Sequence, residues 1–358
     1  MRPGPTTDDL AGGVAVGARI DVIRGGRVLA VGVPAEGVTL QWSGGSRAVP
    51  GQLSYRCPLS WTPLDPLDAL NNFGQRSILT ALIEDRTGRR WEIPMGHFVH
   101  TTWSTGNGSV TVTATDLMQL LEDNPAPWGS SPPEDATTLG ELRRLSDNVV
   151  PIFLEDNVPD RPVPRTSQWG TSRTEAVRKL GESQGFSLRA GGDGALHAYA
   201  TRRTTRPDVI YSAENGMLVN APRAPRSGGR RPNRWYSTGT KQGQGDKKNE
   251  EKWTAVRTMT AQPYEPEGYG WITAHKEVSG AEDEFAVEQA ADALMQADLQ
   301  SAQSRSLEVV PDARIEVGDV VGVVTEEREH FAGIVTAYNL PLTEPDKTMR
   351  IDINVLEE

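Results

Sequence analysis

Short alternating segments, broken by turn signals about every 8–12 residues, fill the first third of the sequence and restrict it to a small antiparallel barrel or sandwich. RIDVIRGGRVLAV (19–31) reads as a hairpin: Ile20 and Val22 alternate with charged residues, and Gly25-Gly26 supplies a tight turn. VTLQW (38–42) and LSYRCPLSW (53–61) repeat the alternation, and PLDPLDALNNFGQ (63–75) reads as a Pro/Asn-rich connection. RSILTALIED (76–85), WEIPMGHFVHTTWST (91–105) and SVTVTATD (109–116) add strands, and DLMQLLED (116–123) a closing helix. This places a β-barrel over 17–123, behind a flexible leader at 1–16.

After the linker at 124–135 the period changes. TTLGELRRLSDNV (137–149) has a Thr cap and leucines 139, 142 and 145 at helical spacing. TSRTEAVRKLGESQG (171–185) is a second helix, capped by Thr171 or Ser172, with Ala176, Val177 and Leu180 on its apolar face and Gly185 at its end. FSLRAGGDGALHAYA (186–200) is a hairpin around GGDG. Residues 135–205 therefore form a helix-plus-hairpin α+β domain.

The chain ends on PDARIEVGDVVGVV (311–324), FAGIVTAY (331–338) and MRIDINVL (349–356), which read as strands turning at Gly318-Asp319. They are too few for a domain of their own. DVIYSAENGMLVNAPR (208–223) and NRWYSTGT (233–240) are equally incomplete. Joining the two sets gives a second β-barrel, discontinuous over 206–260 and 307–358, whose strands within 311–356 pair with strands within 208–240. The inserted segment 261–306 holds the clearest helix, 281–306, with Val287, Ala291, Leu294, Met295, Leu299 and Ala302 on one face. The expected fold is mainly β with α+β insertions.

Chemistry is sparse. The single cysteine, Cys57, excludes an internal disulfide framework or a multi-Cys metal site. His97 and His100 point to opposite faces of one strand and cannot share an ion there. No nucleophile elbow, phosphate loop or HExxH helix is present. Catalytic, cofactor-binding and metal residues are accordingly assigned to none. Among the nine tryptophans, Trp42, Trp61, Trp91, Trp103 and Trp169 read as half-buried. No apolar run reaches the ~18 residues that a membrane span needs, and no secretory signal precedes the first strand.

Net charge is −11 but uneven: residues 250–358 hold 23 acidic and 8 basic residues. The basic excess gathers at 202–234 in arginines 202, 203, 206, 223, 226, 230, 231 and 234. Arg223, Arg226, Arg230, Arg231 and Arg234 are candidate partner-facing residues; the default is a solvated loop.

GARIDVIRGGRVLA, IEDRTGRRWEIPMGHFVH, SRTEAVRKLGESQGFSLRAGGDGALHAYA and PDARIEVGDVVGVV…HFAGIVTAYNLPL…MRIDINV follow one another in an order that resembles the hub proteins of bacteriophage tails. These include minor tail proteins of long non-contractile tails, and are similar in fold to the baseplate hub of contractile tails and the matching part of secretion-system spikes. The resemblance covers about 17–358. It implies a homotrimer in which two barrels per chain make a ring of six, adapting a sixfold tube to a threefold tip in the virion. The implied partners are the distal tail or tail tube protein, the tape measure protein and other tail-tip proteins, with DNA passing the lumen without specific binding. Many relatives continue into peptidase or receptor-binding modules, and this chain stops just after the last barrel strand. The acidic excess suits a DNA channel wall, which makes Glu326, Glu327 and Asp346 candidate lumen residues. The competing classes are a tail-associated cell-wall or glycan hydrolase and a host-surface binding module.

Overall fold

The computed structural model describes residues 1–44, 47–200, 206–221, 231–241, 251–262, 264–278, 284–302, 304–344 and 346–356. The chain is mainly β, with few helices and large antiparallel sheets. It divides into two compact units, Met1–Ala221 with Ser306–Glu358, and Pro222–Arg305.

The larger unit opens with helix α1 (Thr7–Ala11) and strands β1 (Val14–Arg24), β2 (Arg27–Ala30), β3 (Glu36–Ser43), β4 (Gly51–Pro58), β5 (Gln75–Asp85), β6 (Arg90–Gly106) and β7 (Ser109–Thr115). Their buried residues alternate as the sequence requires. On β4, Leu53, Tyr55 and Cys57 face inward, and on β7 Val110, Val112 and Ala114 do. Helix α2 (Gln119–Glu122) follows. The α+β segment comprises α3 (Thr138–Leu145), β8 (Ile152–Leu154), α4 (Arg173–Gln184), β9 (Phe186–Ala190) and β10 (Leu196–Ala200). Ser172 caps α4 by accepting from the Glu175 N–H, and Gly185 ends it at φ 80°, a left-handed turn that costs glycine nothing.

Two short strands come next, β11 (Val209–Ser212) and β12 (Leu218–Asn220). The smaller unit then supplies β13 (Arg234–Lys241), β14 (Glu251–Thr258), α5 (Pro266–Tyr269), β15 (Thr273–Val278) and α6 (Glu284–Ala302). The last strands are β16 (Ser304–Val309), β17 (Val320–Val324), β18 (His330–Pro341) and β19 (Met349–Val355).

The expected ladder between the terminal strands and the region after 208 is present for β11, which runs parallel to β17 with Val209 opposite Val321. β12 pairs antiparallel with β16. β13 does otherwise: it lies between β14 and β15 in a three-stranded sheet of the smaller unit. α6 explains why. Val287 and Ala291 are buried with Ala255, and Trp235 Nε1–H donates to Asp298 at 2.7 Å, so the helix needs this sheet to cover its apolar stripe. Leu294 and Met295 are half-buried; the side chains of Leu299 and Ala302 lie outside the described residues.

Two barrels were expected in the chain. The strand path is instead one open sheet, β12-β16-β19-β18-β3-β4-β7-β6-β5-β1-β2, with β17 and β11 branching from β18, and no ladder among the described residues closes it. The link is β18 to β3, which sets Leu340 opposite Leu40. Both residues are buried, so joining the halves extends one hydrophobic core.

Candidate functional site

Two features of the larger unit stand out: a polar junction under the loop 311–319, and an apolar loop at one end of the sheet.

The expected strand over 311–317 is a loop because its ionic residues turn inward. Asp312 and Arg314 are buried side by side; Arg314 donates Nε–H and Nη2–H to the two carboxylate oxygens at 2.9 and 2.7 Å. Tyr211 O–H donates to the same carboxylate at 3.0 Å, and Arg314 Nη1–H donates to the Pro5 carbonyl at 2.7 Å. The leader at 1–16, read as flexible, is bound here. The Arg2 N–H donates to the Arg314 carbonyl, and its guanidinium to the carbonyls of Ala313 and Ile315. The N-terminal amine meets Asp319 at 2.6 Å. From the α+β segment, Arg189 bridges Glu155 at 2.7 Å and Glu316 at 3.2 Å, and lies 4.9 Å from the centre of the Tyr199 ring. Burial alone would raise the Glu316 carboxyl, but Arg2 and Arg189 hold it below its ordinary value; burial raises Asp319, which the terminal amine offsets only in part. Gly318 sits at φ +92°, and a Cβ there would come within 2.5 Å of the Tyr199 ring. The Gly-Asp corner is thus where the leader, the α+β hairpin and the C-terminal strands meet.

The second feature spans 59–74. Leu64 is 92% exposed, and Leu59, Leu67 and Phe73 are exposed beside it. A solvated leucine tip is usually loose, but this one is fixed from beneath. The Asp68 carboxylate accepts the N–H groups of Leu64 and Asp65 at 2.7 and 2.8 Å, and these bonds hold it below its ordinary value. Gln75 Nε2–H donates to the carbonyls of Pro66 and Asp68, and Asn71 Nδ2–H to that of Asp65. Asn71 is held in turn by Trp103 Nε1–H and by His100 Nδ1–H, which donates to its carbonyl at 2.9 Å.

His100 belongs to a buried relay. Its Nδ1 donates to a carbonyl, so the neutral ring accepts at Nε2 from Ser77 O–H at 2.7 Å, and Ser77 Oγ accepts from Tyr55 O–H at 3.0 Å. Burial pushes the imidazole down to about 4 and the Tyr55 phenol up. Ser77 and His100 stand at nucleophile-to-base distance, but Ser77 is fully buried, and the ring is oriented by the Asn71 carbonyl where a triad has a carboxylate, so the pair is sealed from substrate. His97 faces the hairpin glycine Gly194, away from His100.

The other candidates fall as follows. Arg223, Arg226 and Arg230, with Arg202 and Arg203, lie outside the described residues; Arg231 is exposed. Arg234 stacks between Tyr236 and Trp271, its guanidinium 5.0 and 4.8 Å from the ring centres. Glu326, Glu327 and Asp346 are exposed on turns. Trp42 and Trp169 are buried, while Trp61, Trp91 and Trp103 are half-buried. Cys57 is a buried free thiol, pushed up to about 12 by burial. Among the described residues, no three His, Cys, Asp or Glu side chains converge as a metal set, and no helix is long and apolar enough to cross a membrane. The apolar loop escaped sequence reading because its Pro/Asn content marks a turn region; the signal was Leu59, Leu64 and Leu67, three exposed leucines among its prolines and aspartates.

No protein-family model matches the chain, and no curated protein matches it in sequence. Solved structures do. A tail protein from Neisseria meningitidis MC58 superposes with TM-score 0.64 at 13% identity, over 96% of this chain and 97% of that one. The prophage MuSo2 43 kDa tail protein from Shewanella oneidensis gives 0.61 at 12%, over 94% and 98%. Prophage tail protein gp18 from Listeria monocytogenes EGD-e gives 0.53 at 11%, over 94% of each chain. The shared property at such identities is the fold, along nearly its whole length.

Proposed function

We infer that this chain, which has the fold of phage tail proteins, is a structural subunit of a phage tail tip. Three copies form a hub ring between a sixfold tube and a threefold tip, each contributing two β halves that are barrel-like in the assembled ring. The observation that carries this reading is the extent of the likeness: the fold is shared end to end on both sides. The tied-down leucine loop supports it, because a rigid apolar tip loses little entropy when a neighbour covers it. In the tip the ring meets the distal tail or tube protein, the tape measure protein and other tip proteins. DNA passes the lumen beside acidic residues such as Glu326, Glu327 and Asp346, repelled and not bound. The role is non-enzymatic; a hydrolase reading would need the Ser77–His100 pair opened to substrate.

The mass of the species in solution and its symmetry by electron microscopy test the ring. Threefold particles are expected, and a closed dimer would overturn it. One observation favours a second reading: the Arg234 stack is a half-buried Arg/aromatic arrangement, flanked by the exposed Trp271, that suits an anionic ligand. Retention on a polyanion column through moderate salt, lost in Arg234→Ala, would favour a binding module.

A further inference from the structure

The thirteen-stranded sheet ends on an unguarded edge. β1 pairs with β5 along its whole length, from Val14 opposite Asp85 to Arg24 opposite Gln75. On its other side β2 covers only Val22 to Arg24. The Ile20 carbonyl faces this outer side, since it accepts the Val33 N–H at 2.8 Å. Strand period two therefore turns the backbone N–H and C=O of Val14, Val16 and Ala18 the same way, and no backbone partner meets them among the described residues. Proteins blunt such edges with lysine, proline or a bulge. Val14-Ala15-Val16-Gly17-Ala18 has none of these, and its ladder to β5 is regular.

We propose that the outer edge of β1 over Val14–Ala18 is a strand-addition site for the opposite end of the same sheet in a second copy of this chain, the end that carries β12. The occupant follows from the open path. One end of the sheet is β1 with β2 and the other is β12, where Val219 is 53% exposed. Among the described residues neither end carries a further strand, so a foreign strand would cover one end and leave the other without one. A head-to-tail copy covers both with a single type of contact, and such heterologous contacts generate rings when the rotation closes. The pairing continues the sheet from copy to copy. It rests on the ring reading above and specifies what joins the copies.

The test is Val16→Pro with Ala18→Pro. Both residues turn their N–H outward, so proline removes edge donors while Ala15, Gly17 and Arg19 keep the ladder to β5. Circular dichroism and a thermal melt establish that the variant is folded. Each lost hydrogen bond is worth a factor of about two to ten, so the self-association constant should fall about tenfold or more. Hydrogen exchange on the unaltered protein supplies the second measurement and decides the matter if the variant does not fold. The amides of Val14, Val16 and Ala18 should be open in dilute solution and protected in the assembled species. A folded double variant that associates like the wild type overturns the proposal. A wild-type trimer whose edge amides exchange as in dilute solution also overturns it, and leaves the ring itself standing. A dimer overturns the ring.

Discussion

Replacing Arg314 by Met removes the cation from the buried pair beneath the Gly-Asp corner while keeping much of the side-chain volume. In the native protein the Arg314 side chain is 4% exposed and that of Asp312 0%, so neither charge is screened by water. The substitution deletes the two-pronged contact to Asp312 and the bond to the Pro5 carbonyl, leaving the Asp312 carboxylate with Tyr211 O–H and the Arg314 N–H. Breaking one side of a buried ion pair costs about 3–5 kcal/mol, chiefly because the surviving charge stays buried. Domains have about 5–15 kcal/mol in total, so the urea midpoint should drop by about a fifth of its value or more. Far-UV circular dichroism, dominated by the strands of the larger unit, is the readout. Adding Asp312→Asn neutralises the stranded charge and keeps an acceptor for Tyr211. The double variant should therefore regain about 1–2 kcal/mol over Arg314→Met alone. A loss below about 1 kcal/mol for the single variant, or a double variant no more stable than the single, would show that the pair does not hold this loop.

His100 has its folded-state value pushed to about 4 from 6.5, so the unfolded chain binds the extra proton between these values. Its contribution, about 3 kcal/mol, is present above pH 6.5 and is lost as pH falls towards 4; His100→Gln should flatten the stability profile in that window, and an unchanged slope would contradict the assignment. Cys57 should resist an aromatic disulfide reagent at pH 8 in the folded protein and react on unfolding, since burial pushes its thiol up to about 12; rapid labelling of the native protein would refute this. Leu64→Asp with Leu67→Asp should change unfolding free energy by no more than about 0.5 kcal/mol per site yet weaken assembly, and particles of unaltered mass and affinity would remove the loop from the interface.

Local signals in the sequence were enough for several elements. The Gly25-Gly26 hairpin, the Ser172 cap and the Gly185 terminus each depend on residues within one turn of one another. The loop at 311–319 defeated the same reasoning. Asp312, Ala313, Arg314 and Ile315 are all buried, so alternation of charged and apolar residues there does not mark an inside and an outside. Asp312 and Arg314 pair with each other inside the loop, and Glu316 is matched by Arg2 and Arg189, residues far away in the chain that no local window contains. The assignment of β13 failed for a related reason: strand character says nothing about which neighbour will supply the ladder, and α6 supplied a better-covered one. The leucine loop was visible as letters, but its rigidity comes from His100, Trp103 and Gln75 on strands that begin only after it.

The ladder from β3 to β18 puts Leu40 opposite Leu340. A ribosome adding about 5–20 residues per second needs roughly 15–60 s to travel from one to the other. Throughout that time β3 has β4 on one side and nothing on the other, an exposed apolar ribbon on a nascent chain. Neighbouring chains on one messenger would meet through that ribbon before any could finish its own sheet. The order of synthesis thus sets a hazard that the mature structure hides. Temporary cover for β3, by a chaperone or by early collapse of β1 to β7, is needed until the final strands emerge.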